Sequence, residues 1–408
     1  MAANSAPTAP AASNKRKIAK TERGLAQTAP SWPDRPMADR PAIIVVANSA
    51  RALVASANRA GYAPLAVDVF GDSDTSEMSL AATTLEGGLA DGLTPDKVAG
   101  AVEVLAAAYD PIGLVYGSGF EHQPDSIAAI EPMTRIIGNT AETVARATDP
   151  VLLSRICRAA HIQRPEIAFE PPDEPEGWLV KRRGGAGGAH IRAAATKDPA
   201  PPGCYFQRRE HGRNISALFV ADGTDGRTIG LSAQWTSPAL ATPFRYGGAV
   251  GPVDVGAAQA KQIARAVARL TLEFGLVGLN SADFLVSADA VWLIEINPRP
   301  GATLDIFEPM DDALFAHHLA ACNGQLKTPP SDLPVKAAQV VYAPRNIVLK
   351  AELDWPDWTA DRPSPGTCIG ADDPLCTVLA GAATADLART HVEDRAREIM
   401  AIVEEWMQ

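Results

Sequence analysis

Leu279-Asn280-Ser281-Ala282-Asp283-Phe284-Leu285-Val286, a short Ser/Ala/Asp turn, and then Val291-Trp292-Leu293-Ile294-Glu295-Ile296-Asn297-Pro298-Arg299-Pro300-Gly301 decide how this chain is read. Both halves are rich in Ile, Leu, Val, Trp and Phe and are bounded by turn residues, so they predict two strands of a hairpin. With Ala288-Asp289-Ala290 as a three-residue loop, Ser287 faces Val291. Counting back then places Asp283 opposite Glu295. Glu295 and Asn297 are two apart and share a face. Two carboxylates so close repel each other, and burying them is costly unless a cation or a proton intervenes. Asp283, Glu295 and Asn297 offer hard oxygen ligands that suit Mg²⁺, with Mn²⁺ as the alternative. Arg299 follows directly; an arginine fork beside a metal–phosphate site stabilises negative charge on a transferring group, which makes it a catalytic candidate. The bland alternative is a pair of unrelated surface carboxylates on a hairpin.

Upstream lies Trp178-Leu179-Val180-Lys181-Arg182-Arg183-Gly184-Gly185-Ala186-Gly187-Gly188-Ala189-His190-Ile191. A short apolar strand delivers a lysine, glycines follow, and the chain resumes as a strand. Gly184, Gly185, Gly187 and Gly188 let successive backbone N–H groups turn toward one anion. Lys181 adds a fixed charge to that cradle. No Gly-Lys-Ser/Thr opens a helix, so this is not a P-loop. A flexible hairpin tip with a solvated basic cluster is the competing reading.

Further toward the N-terminus, Ile43–Ala47 predicts a buried strand, Asn48-Ser49 a helix N-cap and Gly61 the helix end. Strands at Ala63–Val69 and Ile112–Tyr116 alternate with helices, which implies a parallel sheet with ligands at its carboxyl ends. Ser118, in the loop Gly117-Ser118-Gly119-Phe120, is therefore a candidate substrate contact. Residues 1–40 lack hydrophobic periodicity and predict a solvated, disordered tail. Pro329-Pro330 marks a boundary, and the chain closes on a charged amphipathic helix with Thr384 as N-cap.

The 408 residues suffice for two or three domains, and 46% hydrophobic against 21% charged residues is ordinary globular usage. The net charge of −11 disfavours nucleic acid as a partner. The longest aliphatic run, Ala42–Ala47, is far short of the roughly 20 residues that span a membrane. Five cysteines, with no Cys-x-x-Cys pair and no zinc spacing, fit a reducing cytoplasm.

The order lysine and glycine loop first, Asp...Glu-Ile-Asn-Pro-Arg-Pro-Gly second, after a parallel α/β front end, resembles the ATP-grasp superfamily over roughly residues 41–325. The resemblance implies an α/β fold with a pre-ATP-grasp domain at 41–138 and an ATP-grasp domain at 139–328. That domain would comprise a lid at about 150–206 and an antiparallel core lobe at about 207–328, followed by a small β-rich cap at 329–408. It implies ATP held by Lys181 and the glycine loop, with Mg²⁺ on Asp283, Glu295 and Asn297. The backbone near Gln207 and Arg208 would meet adenine, and Glu210 the ribose. One departure stands out: many relatives carry a lysine after the Asp that opens the lid, where this chain has Asp149-Pro150, leaving Arg155 or Arg146 to compensate.

Within the superfamily the arrangement looks like carboxylate–amine ligases. The nearest likeness is the tyramine–glutamate ligase and methanopterin- or methylofuran-associated branch of C1-carrier biosynthesis. That likeness implies small-molecule acid and amine substrates joined through an acyl phosphate, a cytoplasmic enzyme, and a homodimer as in many relatives. If glutamate is the acid, Arg245 and Tyr246 in Phe244-Arg245-Tyr246-Gly247-Gly248 are the candidate carboxylate clamp. A phosphotransferase or carboxylase, or a nucleotide-binding regulator without turnover, are the alternatives.

Overall fold

A run of β-branched residues that is apolar on both faces is the signature of a strand buried on both sides. In the computed structural model, which describes residues 36–349 and 353–406, that run is β1 (Ala42–Val46). β1 lies between β2 (Ala63–Asp68) and β4 (Leu114–Tyr116), with β3 (Ala81–Thr84) outside β2, in an all-parallel sheet of order β3-β2-β1-β4. The tail reading for residues 1–35 lies outside the described residues, as does Met407. One expectation is corrected here. The first helix spans Arg51–Arg59, and neither Asn48 nor Ser49 caps it. The Ser49 hydroxyl instead donates to Asp361, 2.8 Å away. A distant carboxylate has outcompeted the local cap.

The lid is a four-stranded sheet of β5 (Ile167–Ala168), β6 (Trp178–Arg182), β7 (Arg192–Ala193) and β8 (Cys204–Arg208), in the order β5-β8-β6-β7. Trp178, Val180 and Phe206 form a small core on one of its faces.

The chain then runs through β9 (Arg213–Asp222), β10 (Gly226–Thr236), β11 (Tyr246–Gly251), β12 (Val277–Val286), β13 (Val291–Asn297), β14 (Lys336–Tyr342), β15 (Ile347–Val348), β16 (Thr359–Ala360), β17 (Cys368–Ile369) and β18 (Pro374–Gly381). Eight of these make one antiparallel sheet of order β13-β12-β9-β10-β11-β14-β18-β16. The residues after Pro330 thus extend the core sheet through β14, β18 and β16, with only β15 and β17 pairing apart from it.

Alternation along β9 sends Ile215, Ala217 and Phe219 to a helix at Ala257–Phe274, through its apolar stripe of Ile263, Ala266, Val267 and Leu270. Leu218 and Val220 face the other way, into a core shared with Ile43 and Val45 of β1 and with Phe307, Leu314 and Phe315. The parallel sheet and the core sheet are therefore welded by one continuous apolar layer, which fixes the carboxyl ends of β1 and β4 against the β12–β13 hairpin. The final helix, Ala385–Trp406, buries Ala388, Val392, Ala396, Ile399 and Val403 at helical spacing, and the Thr384 hydroxyl accepts the Leu387 N–H. No helix among the described residues is long and apolar enough to cross a membrane, and the five cysteines are unpaired.

Candidate active site

The β12–β13 hairpin pairs Asp283 with Glu295 and Ser281 with Asn297. The expected pairing is present, but by a different route. The turn is one residue tighter than expected: Ser287 N–H donates to the Ala290 carbonyl at 2.9 Å, and Val286, not Ser287, faces Val291. A bulge between the Phe284–Leu293 and Asp283–Glu295 pairs then inserts one residue, Ile294, and restores the count.

The two carboxylates are treated differently by their surroundings. Asn297 Nδ2 donates to Asp283 Oδ2 at 3.0 Å, while Asp283 Oδ1 is buried with no partner. Burial and the neighbouring Glu295 push the Asp283 carboxyl up to about 6. Glu295 goes the other way: burial alone would raise it, but Lys181, with Nζ 3.2 Å from Oε2, holds it below the usual carboxylate range. Lys181 is the reciprocal case; burial opposes its charge and Glu295 outweighs that, raising its pKa. Alternation along β6 explains the encounter, because Trp178 and Val180 take the lid's own core and leave Lys181 on the face toward the hairpin.

Among the described residues no group of three or more His, Cys, Asp or Glu is arranged to hold a metal by itself. The donor set here is two carboxylates and an amide oxygen, with an orphaned Asp283 oxygen that a cation would satisfy. That set fits Mg²⁺, which binds through one or two carboxylates and fills its octahedron with phosphate oxygens and water.

Arg299 is buried, and its neighbour was not visible in the sequence. Its Nε donates to Glu121 Oε1 at 2.6 Å, and its NH2 reaches Asn297 Oδ1 at 3.3 Å. Glu121 Oε2 accepts the Gly119 N–H at 2.9 Å. The loop after β4 is thus tied to the arginine, and Ser118 sits in that loop beside Asn48, whose N–H donates to the Ser118 carbonyl at 2.8 Å.

The glycine loop lies down between these elements. At Gly184 (φ +63°) a Cβ would fall 2.1 Å from the Glu121 carbonyl, and at Gly188 (φ +73°) one would fall 2.0 Å from that of Phe244. Glycine is required at both, for conformation and for space. Tyr246 N–H donates to the Gly187 carbonyl at 2.8 Å, closing the loop onto β11. The Tyr246 phenol is buried near Tyr342 and Asp283, which raises its pKa.

Gln207 is buried in the middle of β8, paired on both edges with Ile167 and Leu179, and its Nε2 has no partner. Arg208 N–H donates to the Glu166 carbonyl and its side chain lies over Trp178. Glu210 is half-buried just beyond β8. Arg245 is already committed: it donates to the Ser237 carbonyl at 2.9 Å and the Asp372 carbonyl at 2.7 Å, and lies 3.6 Å over the Tyr342 ring.

Pro150 is the first residue of the helix Pro150–Ala159, whose N-cap Asp149 accepts the Val151 and Leu152 N–H groups. Arg146 reaches away to the Glu273 carbonyl and Arg155 is exposed. A cation that does line the cleft is Arg164, donating to the Ile294 carbonyl at 2.6 Å and to Ser154 Oγ at 3.1 Å. Thr148, Pro150, Arg182, Tyr205 and Glu295 line the same cleft, between the lid and the hairpin.

With this geometry in hand, residues 147–303 match the family model described as the ATP-grasp domain. The match spans the lid, the β12–β13 hairpin and Arg299. No curated protein sequence is significantly similar to the chain. Similarity among solved structures extends well beyond the matched domain. The biotin carboxylase domain dimer of Hydrogenobacter thermophilus 2-oxoglutarate carboxylase, solved with MgADP, ADP and bicarbonate, superposes at a TM-score of 0.65 with 12% identity, over 85% of this chain and 87% of that one. Campylobacter jejuni biotin carboxylase gives 0.65 and 12%, over 86% and 89%. N5-carboxyaminoimidazole ribonucleotide synthetase from Thermus thermophilus gives 0.60 and 13%, over 87% and 98%. At such identities the likeness establishes the ATP-grasp fold, with its parallel N-terminal sheet, lid and antiparallel core.

Proposed function

We propose that the chain is an ATP-dependent ligase that joins a carboxylate to an amine through an acyl phosphate. One observation carries this reading: Lys181, Asp283, Glu295, Asn297 and Arg299 converge beneath a glycine loop that is already closed over them. Mg²⁺ on Asp283, Glu295 and Asn297 would neutralise phosphate charge there. Lys181 and the loop amides hold the phosphates, and Arg164 adds charge on the side where Pro150 has none. Arg299, held by Glu121, faces the substrate loop at Ser118 and steadies charge on the transferring group.

A carboxylate oxygen attacks the γ-phosphorus and ADP leaves. The amine then attacks the acyl carbon, and phosphate departs with the original carboxylate oxygen. Amide formation in water otherwise fails, because hydroxide is a poor leaving group. Closure of the glycine loop keeps water from the acyl phosphate. Positioning and charge neutralisation supply the catalysis, as in phosphoryl transfer generally.

Resemblance to the C1-carrier branch supports glutamate with an aromatic amine as the first pair to test, in a cytoplasmic, ATP-fed reaction. The test is an ¹⁸O-carboxylate-labelled acid panel against an amine panel, scored for ¹⁸O in the released phosphate. Amine-dependent label transfer supports the ligase. Transfer from ¹⁸O-bicarbonate alone would replace it with carboxylation. Nucleotide binding without any phosphate release would replace it with a regulator.

A further inference from the structure

His190 follows the glycine loop, and its imidazole lies directly against Gly185. A Cβ at Gly185 would fall 2.3 Å from the ring Cγ and 2.5 Å from Nδ1. Gly185 therefore makes room for this ring, a role separate from those of Gly184 and Gly188. The ring's charged surroundings are Lys181, Glu295 and Arg182. Nδ1 and Nε2 are both buried, and neither makes a hydrogen bond of good geometry, although the Ala186 carbonyl is close. A buried donor left unpaired is destabilising, so such a group calls for a partner.

We infer that His190 donates a hydrogen bond to a phosphate oxygen of the bound nucleotide, between Lys181 and Glu295. The inference rests on the nucleotide reading above and adds a residue to it. An imidazole has at least one N–H to give in either protonation state, so the ring can serve as a donor there. A metal-ligand role fits less well: the cation the site suits is a hard one that takes oxygen donors, and no three-ligand group among the described residues includes this histidine. Lys181 and His190 would then approach the phosphates from β6 and from the far end of the glycine loop, so that nucleotide pins both ends of the hairpin.

The test is calorimetric titration of MgADP and of adenosine into the full-length wild type, His190→Leu and His190→Gln, with a thermal melt of each without ligand. The wild-type arm reports on the nucleotide reading and the variants report on His190. We expect His190→Leu to melt at or above the wild-type temperature, because it removes an orphaned polar group. It should bind MgADP at least tenfold more weakly and adenosine within twofold of wild type. His190→Gln, which keeps a donor, should recover MgADP affinity to within threefold. Undiminished MgADP binding by the leucine variant would overturn the inference. So would equal losses for MgADP and adenosine, which would make His190 a packing residue. Failure of the wild type to bind MgADP would bring down the nucleotide reading and this inference together.

Discussion

Consider what removing the Lys181 ammonium does. Lys181 is 2% exposed and Glu295 is 29% exposed, with 3.2 Å between Nζ and Oε2. Breaking a buried pair from one side costs about 3–5 kcal/mol, because the remaining charge loses its partner. The partial exposure of Glu295 places Lys181→Met at the lower end, about 3 kcal/mol. Asp283 and Glu295 would then face each other without the lysine, with Arg299 still beside them, and one of them takes up a proton more readily. Replacing both members of a buried pair by well-packed neutral groups is often close to neutral. Lys181→Met/Glu295→Gln should therefore recover most of the loss, a coupling of about 2 kcal/mol. Urea unfolding of wild type, both single variants and the double variant, without nucleotide or Mg²⁺, closes the cycle. A double variant whose loss equals the sum of the single losses would show that the two side chains do not interact and would refute the electrostatic account of the site. Both single variants and the double variant should lose MgATP binding whatever their stability.

Three further outcomes follow from the same structure. Asp72 is buried near Asp361, Asp68 and Asp74; burial, then those charges, push its carboxyl up to about 9, and Asp68 rises to about 6. A raised carboxylate binds more protons folded than unfolded, so its stability contribution is complete below about pH 4 and is lost as pH rises toward 9, at up to about 1.4 kcal/mol per pH unit for each proton. Asp72→Asn should melt higher than wild type at pH 8 and show a flatter pH profile; an unchanged slope in thermal melts from pH 5 to 9 would count against the assignment. Gly188→Ala places a Cβ 2.0 Å from the Phe244 carbonyl at φ +73°, so the lid should fail to seat, the KM for ATP should rise at least tenfold and the urea midpoint should fall; unchanged values of both would count against the close approach. Arg245→Ala should cost roughly 1–3 kcal/mol through its lost bonds to Ser237 and Asp372, while KM for the acid stays within threefold; a large rise in that KM would return Arg245 to the substrate clamp.

The hairpin was legible because period-2 apolar patterning and turn residues constrain a β-pair from local information alone. Even there, a turn shorter by one residue and a bulge at Ile294 compensated each other, and neither leaves a mark in composition. The lysine and glycine loop was legible for the same local reason. Tertiary partners were not. Glu121 meets Arg299 across 178 positions, and its only sequence signal is its place just after Gly117-Ser118-Gly119-Phe120, at the carboxyl end of a parallel strand. Arg146 and Arg155 sit on helices that turn them away from the cleft, whereas Arg164 enters it from the irregular segment after the second of those helices, where no periodicity signals its direction. Nothing local to Asp72-Ser73-Asp74 marks it for burial; Asp361 and Arg362 close over it from nearly 290 positions away, their N–H groups donating to Asp74 at 3.0 Å. Asp361 holds a left-handed φ of 54° there, a strained conformation kept in place by bonds to Ser49 and Arg51.

The central claim is a Mg²⁺-dependent nucleotide site on the β12–β13 hairpin. Its most direct test is a thermal-stability titration of wild type and Glu295→Ala/Asn297→Ala with ATP, with and without Mg²⁺. A ligand that binds only the native state adds about 2.7 kcal/mol at 100 times its Kd. The account predicts that wild type is stabilised to this order only when ATP and Mg²⁺ are both present, and that the variant is not. Equal stabilisation of both proteins, or none in the wild type, would contradict it.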